Sequence, residues 1–283
     1  MRLCTTIEEI RASSRAARQE GRRVGLVPTM GALHEGHLSL VRAAKQDSHV
    51  VTVSIFVNPL QFGANEDFSR YPRTLDRDRE LLANQKVDFV FAPTVVEMYP
   101  SGSATFVNVE GLSRRLDGKS RPGHFRGVAT VVAKLFHAVE PDVAFFGQKD
   151  AAQVAIIRRM VRDLSLPVEI VVCPIVREAD GLAMSSRNAY LNPRQRQQAP
   201  VLYRSLTRVQ KLFEEGERSV NRLLAAGKET IAQEPSVKLD YFAIVGQETL
   251  EPVADLSHGA LVAVAAHLGN TRLIDNILLP PGS

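Results

Sequence analysis

Short apolar runs alternate with longer amphipathic stretches over the first 176 residues. The apolar runs predict strands at 24–28, 49–56, 88–92, 105–109, 142–146 and 167–173. Between them, apolar residues at helical spacing predict helices at 6–20, 37–46, 74–86, 128–139 and 151–164. Strands that alternate with helices are typical of a parallel sheet. We therefore expect an α/β, Rossmann-like domain over residues 1–176.

The rhythm changes after residue 176. Two long helical patterns, at 193–215 and 219–233, precede three strand-like runs at 238–245, 260–266 and 272–279. Helices followed by a run of strands indicate a separate α+β unit. We expect a second, smaller α+β domain at 177–283.

Composition narrows the functional classes. With 45% hydrophobic and 23% charged residues, the chain is typical of a globular protein. A net charge of +4 suits a small anionic substrate and lacks the clustered surplus of a nucleic-acid binder. Cys4 and Cys173 alone indicate neither a disulfide framework nor a thiolate metal site. A charged N-terminal stretch and the lack of an apolar run of ~18 residues predict no signal peptide, no membrane span and a cytoplasmic location.

The stretch from 24 to 41 carries the clearest chemical signal. A buried strand leads into a loop with Gly31 and Gly36 and then into a helix. Pro28 has no N–H, so we expect strand pairing to end there. The helix N-terminus favours an anion, and His34 and His37 are spaced to face one ligand. A metal site, which would need a third ligand, and an exposed polar turn are the alternatives.

Two later clusters also suit a nucleotide. Lys149 and Asp150 follow a predicted strand, where lysine can meet a phosphate and aspartate can accept from ribose hydroxyls. Two hydroxyls and a guanidinium at Ser185, Ser186 and Arg187 can surround a phosphate. Taken alone, the first cluster is more commonly a solvated turn, and the second is a weak signal that a polar loop would also explain.

Neutral amides form a third group of candidates. Asn58, Gln61 and Gln153 can both donate and accept, which suits a substrate with hydroxyls and a carboxylate. The basic segment 114–126 is either a lid or a solvated run. Its Gly-Lys-Ser at 118–120 lacks a glycine at the P-loop spacing, which excludes a Walker motif.

In combination these motifs resemble the pantoate–β-alanine ligase (pantothenate synthetase) family over nearly the whole chain. The resemblance rests on PTMGALHEGH (28–37), SIFVNPLQFG (54–63), YPR (71–73), FFGQKD (145–150), VREADGLAMSSRN (176–188) and LDYFAIV (239–245). The family is part of the nucleotidyltransferase group with a His-x-Gly-His type loop. The resemblance implies ATP-dependent condensation of (R)-pantoate with β-alanine through an enzyme-bound pantoyl adenylate, releasing pyrophosphate and AMP. It further implies Mg²⁺ carried by the phosphates without protein ligands, no nucleic acid or membrane partner, and a homodimer.

The resemblance also assigns roles by position. His37 corresponds to the proton donor, His34 to a second phosphate contact and Lys149 to the contact with the α-phosphate. Gln61 and Gln153 correspond to pantoate ligands, and Gln61 also borders the β-alanine site. The other ATP contacts are expected from Met30, Gly31, Ala32, Leu33, Glu35 and Gly36, from Gly147, Gln148 and Asp150, from the backbone of Val176, and from Met184, Ser185, Ser186 and Arg187 of the second, lid-like domain. Ala152 departs from the family, where many relatives have glutamine, but Gln153 matches.

Three alternative functions can be separated by experiment. Another adenylyl- or cytidylyltransferase could use the same loop, although the amides at Asn58, Gln61 and Gln153 argue against it. A tRNA synthetase lacks support because the sequence offers no anticodon-binding or strongly basic domain. A non-catalytic nucleotide sensor would bind ATP without turnover. Pyrophosphate release that depends on pantoate distinguishes all of these.

Overall fold

The computed structural model describes residues 1–64 and 66–282. Its larger sheet has six strands in the order β1-β4-β3-β2-β5-β6, and all of its neighbouring strands are parallel. The strands are β1 (Arg2–Cys4), β2 (Val24–Thr29), β3 (Val50–Ile55), β4 (Phe89–Phe91), β5 (Val143–Gly147) and β6 (Glu169–Cys173). The helices of this part are α1 (Ile7–Gln19), α2 (Glu35–Asp47), α3 (Leu75–Asn84), α4 (Val95–Met98), α5 (Asp117–Ser120), α6 (His124–Val139) and α7 (Ala151–Asp163). The predicted Rossmann-like parallel sheet is confirmed.

Both faces of this sheet are buried, because its strands are apolar at successive positions. In β5, Ala144 and Phe146 join the core formed with α1, α6 and α7, whereas Val143 and Phe145 join the core formed with α2 and α3. The period of two along the strand sends alternate side chains to opposite faces. Helices therefore cover the sheet on both sides.

The rest of the chain forms a smaller α+β unit. It contains α8 (Pro193–Gln198), α9 (Val201–Glu214), α10 (Val220–Ala232), and the antiparallel strands β7 (Val237–Val245), β8 (Ala260–Leu268) and β9 (Thr271–Leu279). One face of this sheet packs on α9 and α10. The other face, through Leu261 and Ala263, joins the core of the larger unit. The α+β prediction is confirmed, and the boundary after residue 176 stays a prediction.

Local differences from the sequence pattern have physical causes. Residues 105–109 form no strand, because the N–H of Val107 donates to the hydroxyl of Thr130 on α6 (3.0 Å) and not to a neighbouring strand. The predicted helix 193–215 is divided into α8 and α9, since Pro200 between them has no N–H for the helical ladder. Strand β1 was not predicted, because its three residues are too few to show a strand pattern in the sequence.

The sequence predicted that strand pairing ends at Pro28, and this prediction is wrong. Pro28 stays in register with Ser54 of β3, and β2 continues to Thr29. On the opposite side, the ladder with β5 covers only Gly25 and Leu26. The missing N–H is therefore tolerated where the neighbouring strand has already diverged. Among the helices of the described residues, none is both long enough and apolar enough to cross a membrane.

Candidate active site

The loop between β2 and α2 turns sharply and is held by α3. Gly31 has φ +82° and Ala32 has φ +50°. A positive φ is uncommon for residues other than glycine, so the backbone at Ala32 needs support from its surroundings. The buried carboxylate of Asp78 gives that support, because it accepts the N–H groups of Ala32 (2.9 Å) and Leu33 (2.8 Å). Thr74 is the N-cap residue of α3, but its hydroxyl donates to Asp78 (3.2 Å) instead of capping the helix.

The two histidines at the start of α2 have their tautomers set by the backbone. Nδ1 of His34 accepts the N–H of Gly36 (3.1 Å), and Nδ1 of His37 accepts the N–H of His34 (3.3 Å). A backbone N–H can only donate, so neither Nδ1 carries a proton. Each neutral ring therefore carries its proton on Nε2, and the ring centroids are 4.1 Å apart.

Burial keeps both rings uncharged at neutral pH. It lowers the pKa of His34 to about 4 and that of His37 to about 3. The nearby Lys149 ammonium contributes to both of these lowered pKa values, and His34 also contributes to that of His37. The pair can donate hydrogen bonds to phosphate oxygens through Nε2, but it adds no net positive charge.

Asn58 is not a ligand-facing amide, contrary to the expectation from sequence. It is buried, and its Nδ2 donates to the carbonyl of Gly127 (3.0 Å) and to Oε1 of Gln61 (3.1 Å). Its Oδ1 accepts the hydroxyl of Tyr99 (2.9 Å). Asn58 therefore fixes the amide of Gln61, whose Nε2 lies 2.9 Å from the sulfur of Met30 at the cavity wall.

Lys149 is paired only loosely with a carboxylate. It lies on a short 3-10 turn, Gln148–Asp150, and its Nζ is 3.7 Å from the carboxylate of Asp150. Four neighbouring arginines have closer carboxylate partners, at 2.5 to 3.1 Å: Arg121, Arg177, Arg187 and Arg272. A ligand phosphate would therefore meet Lys149 without first displacing a close ion pair.

The segment after β6 docks on the loop that carries the histidines. Ser186 donates through its hydroxyl to the carbonyl of Ala32 (3.2 Å). Arg187 donates two hydrogen bonds, each of 3.1 Å, to the carboxylate of Asp67. The guanidinium of Arg187, which the sequence analysis predicted to contact phosphates, is therefore held at the cavity by Asp67.

Other predicted ATP contacts are oriented less directly toward the cavity. The carbonyl of Val176 accepts the N–H of Met184 (3.0 Å). The side chain of Leu33 is buried in the core, and Glu35 forms an ion pair with Arg42. Leu33 and Glu35 could therefore contribute only backbone groups.

A cavity of about 660 Å³ lies between the two units, at the carboxyl ends of β2 and β5. Eight predicted site residues line it: Met30, His37, Gln61, Lys149, Asp150, Gln153, Ser185 and Arg187. Six apolar side chains also line it: Phe56, Val128, Val131, Val132, Leu135 and Phe146. From the segment 114–126, Arg121 and His124 reach the cavity, whereas Arg114 is exposed and pairs with Glu110.

Comparison with known proteins decides the family. A model of the pantoate-beta-alanine ligase family matches residues 2–278. The chain belongs to this family. It is 60% identical to the pantothenate synthetase of Koribacter versatilis, over 99% of this chain and 96% of that one. The enzyme is thus a member of a ligase family.

Solved structures agree with this assignment. A pantothenate synthetase from Thermus thermophilus superposes with a TM-score of 0.95 at 52% identity, covering 99% of this chain and 100% of that chain. A Francisella tularensis pantoate-beta-alanine ligase, described as complexed with beta-gamma ATP and beta-alanine, gives a TM-score of 0.80 at 33% identity, with 98% and 97% coverage. The fold and the order of the motifs are therefore those of the family.

The acidic groups of the enzyme's cavity fit a metal ion that arrives on a ligand. Most of these carboxylates are held by arginines: Glu66, Asp67, Asp117 and Asp275. Asp150 keeps a half-exposed carboxylate. Within residues 1–64 and 66–282, no group of three or more His, Cys, Asp or Glu side chains is arranged to hold a metal. The donor set suits Mg²⁺ bound to phosphates, with Asp150 as the carboxylate available to it.

Sequence reasoning missed the residues that hold the site from a distance. Asp78 lies 46 positions from Ala32, and Asn276 lies 127 positions from Lys149, to whose carbonyl it donates (2.9 Å). Asp67, the partner of Arg187, is likewise 120 positions away. No local spacing encodes such contacts. The signal that could have suggested Asp78 is its position in the first turn of a helix that follows the site loop.

Proposed function

We propose that the enzyme condenses pantoate with β-alanine at the expense of ATP, through a pantoyl adenylate. One observation carries the proposal. One cavity is lined by Lys149 and the His37 ring and also by the amides of Gln61 and Gln153 and several apolar side chains. The first two groups suit phosphates, and the amides with the apolar side chains suit a hydroxy acid with a methylated carbon chain.

In the first step, a carboxylate oxygen of pantoate attacks the α-phosphorus of ATP, and the bond to the bridging oxygen of pyrophosphate breaks. Negative charge builds on the phosphate oxygens, so positioned donors lower the barrier. Lys149 supplies charge at the α-phosphate, and the neutral rings of His34 and His37 donate through Nε2. Mg²⁺, when bound, neutralises further charge on the phosphates.

In the second step, the amine nitrogen of β-alanine attacks the acyl carbon of the adenylate. The bond from that carbon to the phosphate oxygen breaks, AMP leaves, and the nitrogen loses a proton. Gln61 borders this site and Gln153 holds the pantoyl part, while the backbone near Val176 receives the adenine. Closure of the segment 184–187 would keep water from the reactive adenylate.

The test is pyrophosphate release from ATP with and without pantoate, in the absence of β-alanine. We expect release that depends on pantoate and AMP formation that then depends on β-alanine. Lys149→Ala should lose roughly 10²-fold in the first step, as when one positioned donor is removed. Release that ignores pantoate would favour another nucleotidyltransferase, and ATP binding without release would favour a sensor.

We also propose that the enzyme is a cytoplasmic homodimer, as its resemblance to the family implies. Light scattering on the purified chain would report a mass twice that of one chain. A monomeric mass at assay concentration would contradict the dimer without touching the chemistry proposed above.

A further inference from the structure

The turn that carries Lys149 is fastened by a residue of the other structural unit. Asn276 lies on β9 and is 3% exposed. Its Nδ2 donates to the carbonyls of Gln148 and Lys149, both at 2.9 Å, and its Oδ1 accepts from Nε2 of Gln148 at 2.9 Å. All three side-chain hydrogen bonds therefore go to one dipeptide.

The polarity of this contact leaves a single orientation for the amide. Backbone carbonyls can only accept, so both hydrogens of Nδ2 face the turn and Oδ1 must meet the amide nitrogen of Gln148. An aspartate of the same shape could not replace it. A carboxylate would face two carbonyl oxygens with no hydrogen to donate.

Asn276 is itself held rigidly from behind. Its N–H donates to Oδ1 of Asp275 (2.7 Å), and that carboxylate accepts two hydrogen bonds from Arg177 (2.6 and 3.0 Å). The guanidinium of Arg177 lies 3.9 Å from the ring centre of Tyr203 on α9. The support is therefore buried, paired and anchored to a helix of the smaller unit.

We propose that Asn276 is a positioning residue for adenylation: it fixes the Gln148–Lys149 turn so that the Lys149 ammonium is held at the α-phosphate. The inference rests on the proposed function. A lysine side chain reaches the cavity from whatever direction its backbone gives it, and small misplacements of catalytic groups are costly. The smaller unit then contributes to the first chemical step through β9, in addition to closing over the ligand.

The experiment measures pantoate-dependent exchange of pyrophosphate into ATP, without β-alanine, for the parent chain, Asn276→Asp and Asn276→Ala. We expect kcat for exchange to fall about 10- to 100-fold in both variants, more in Asn276→Asp. The KM for pantoate should change by less than about twofold, since the side chain of Asn276 bonds Gln148 and Lys149 and not the pantoate amides Gln61 and Gln153. A purely structural role would lower the amount of folded protein but would not separate kcat from KM in this way.

Ile277→Ala is the matched control, because Ile277 is the next residue of β9 and packs against the α9–α10 core. It should lose thermal stability yet keep exchange within about twofold of the parent per folded molecule. Circular dichroism and chromatographic size give the folded fraction. If Asn276→Asp does not fold, the result of Asn276→Ala, which adds no charge, is used to test the inference. Exchange by Asn276→Ala equal to that of the parent would overturn the inference. A parent without pantoate-dependent exchange would instead overturn the proposed function.

Discussion

At the scale of single residues, the backbone decides what the two histidines can do. Their three-residue spacing predicts that they face one ligand, but it does not reveal their protonation. The N–H groups of His34 and Gly36 point at the Nδ1 atoms and leave each proton on Nε2. Burial then keeps the rings neutral. In this structure the His37 ring can therefore donate a hydrogen bond through Nε2 at neutral pH but is not an imidazolium.

This state predicts a pH dependence of stability. An unfolded histidine has a pKa of about 6.5, whereas that of His37 in the fold is about 3. Between these values the unfolded chain binds more protons, so the free energy of unfolding falls as the pH is lowered from 6.5 toward 3. Replacing His37 by Gln should make this slope shallower by about 1.4 kcal/mol per pH unit near pH 5.

Urea denaturation at several pH values between about 4.5 and 7, inside the window set by the two pKa values, gives the slopes. His258→Gln, at an exposed turn, is the control for the loss of one histidine from the chain. If the free energy of unfolding of His37→Gln depends on pH as steeply as that of the parent chain, His37 is charged in the folded protein.

Residue types alone could not separate ligand-facing from supporting side chains. The sequence does not distinguish the amides of Asn58, Gln61 and Gln153. Gln61 and Gln153 line the cavity, whereas the side chain of Asn58 is hydrogen-bonded to Gly127, Gln61 and Tyr99. The difference depends on partners up to 69 positions away. Periodicity carries no information about such partners.

At the scale of elements, the strand–loop–helix unit of β2 and α2 was predictable because its signals are local. Apolar residues mark β2, glycines mark the loop, and helical spacing marks α2. Residues 105–109 show the limit of such signals. Their β-branched pattern is that of a strand, but a threonine hydroxyl from α6 takes the bond that a neighbouring strand would have made.

The support of this unit by α3 yields a second prediction. Asp78→Asn keeps the shape of the side chain but places an NH₂ group where a carboxylate oxygen accepted a backbone N–H. One buried donor loses its partner, which should lower the free energy of unfolding by roughly 1–3 kcal/mol. The loop at Ala32 would relax, so pyrophosphate exchange should also slow by about tenfold or more.

Asp76→Asn is the matched control, because Asp76 belongs to the same helix and its side chain is 99% exposed. It makes the same change of charge and should leave both stability and exchange near the parent values. Urea denaturation and exchange assays measure the two effects. Equal behaviour of the two variants would show that Asp78 does not hold the loop.

At the scale of the whole molecule, the two units form the site together. The larger unit, which contains the parallel sheet, supplies His37, Gln61 and Lys149. The segment after β6 supplies Ser185 and Arg187. The change of rhythm after residue 176 predicts two units but says nothing about how they join. The joining contacts, such as Arg187 on Asp67 and Asn276 on the 148–150 turn, connect residues 120 and 128 positions apart. For the same reason, supporting residues such as Asp78 and Asn276 could not be predicted from local spacing.

The buried ion pair between Arg177 and Asp275 supports this junction from within the smaller unit. Asp275 is 3% exposed, and its carboxylate is bound bidentately. Burial raises the pKa of Asp275, and Arg177 opposes that rise. Removing the carboxylate charge leaves the partly buried guanidinium of Arg177 without its counter-ion. Asp275→Asn should therefore cost roughly 3 kcal/mol of unfolding free energy. Glu248→Gln, which removes the exposed partner of Arg162, should cost less than about 1 kcal/mol. Chemical denaturation of both variants measures the difference, and similar small losses would mean that the buried pair contributes no more than a surface one.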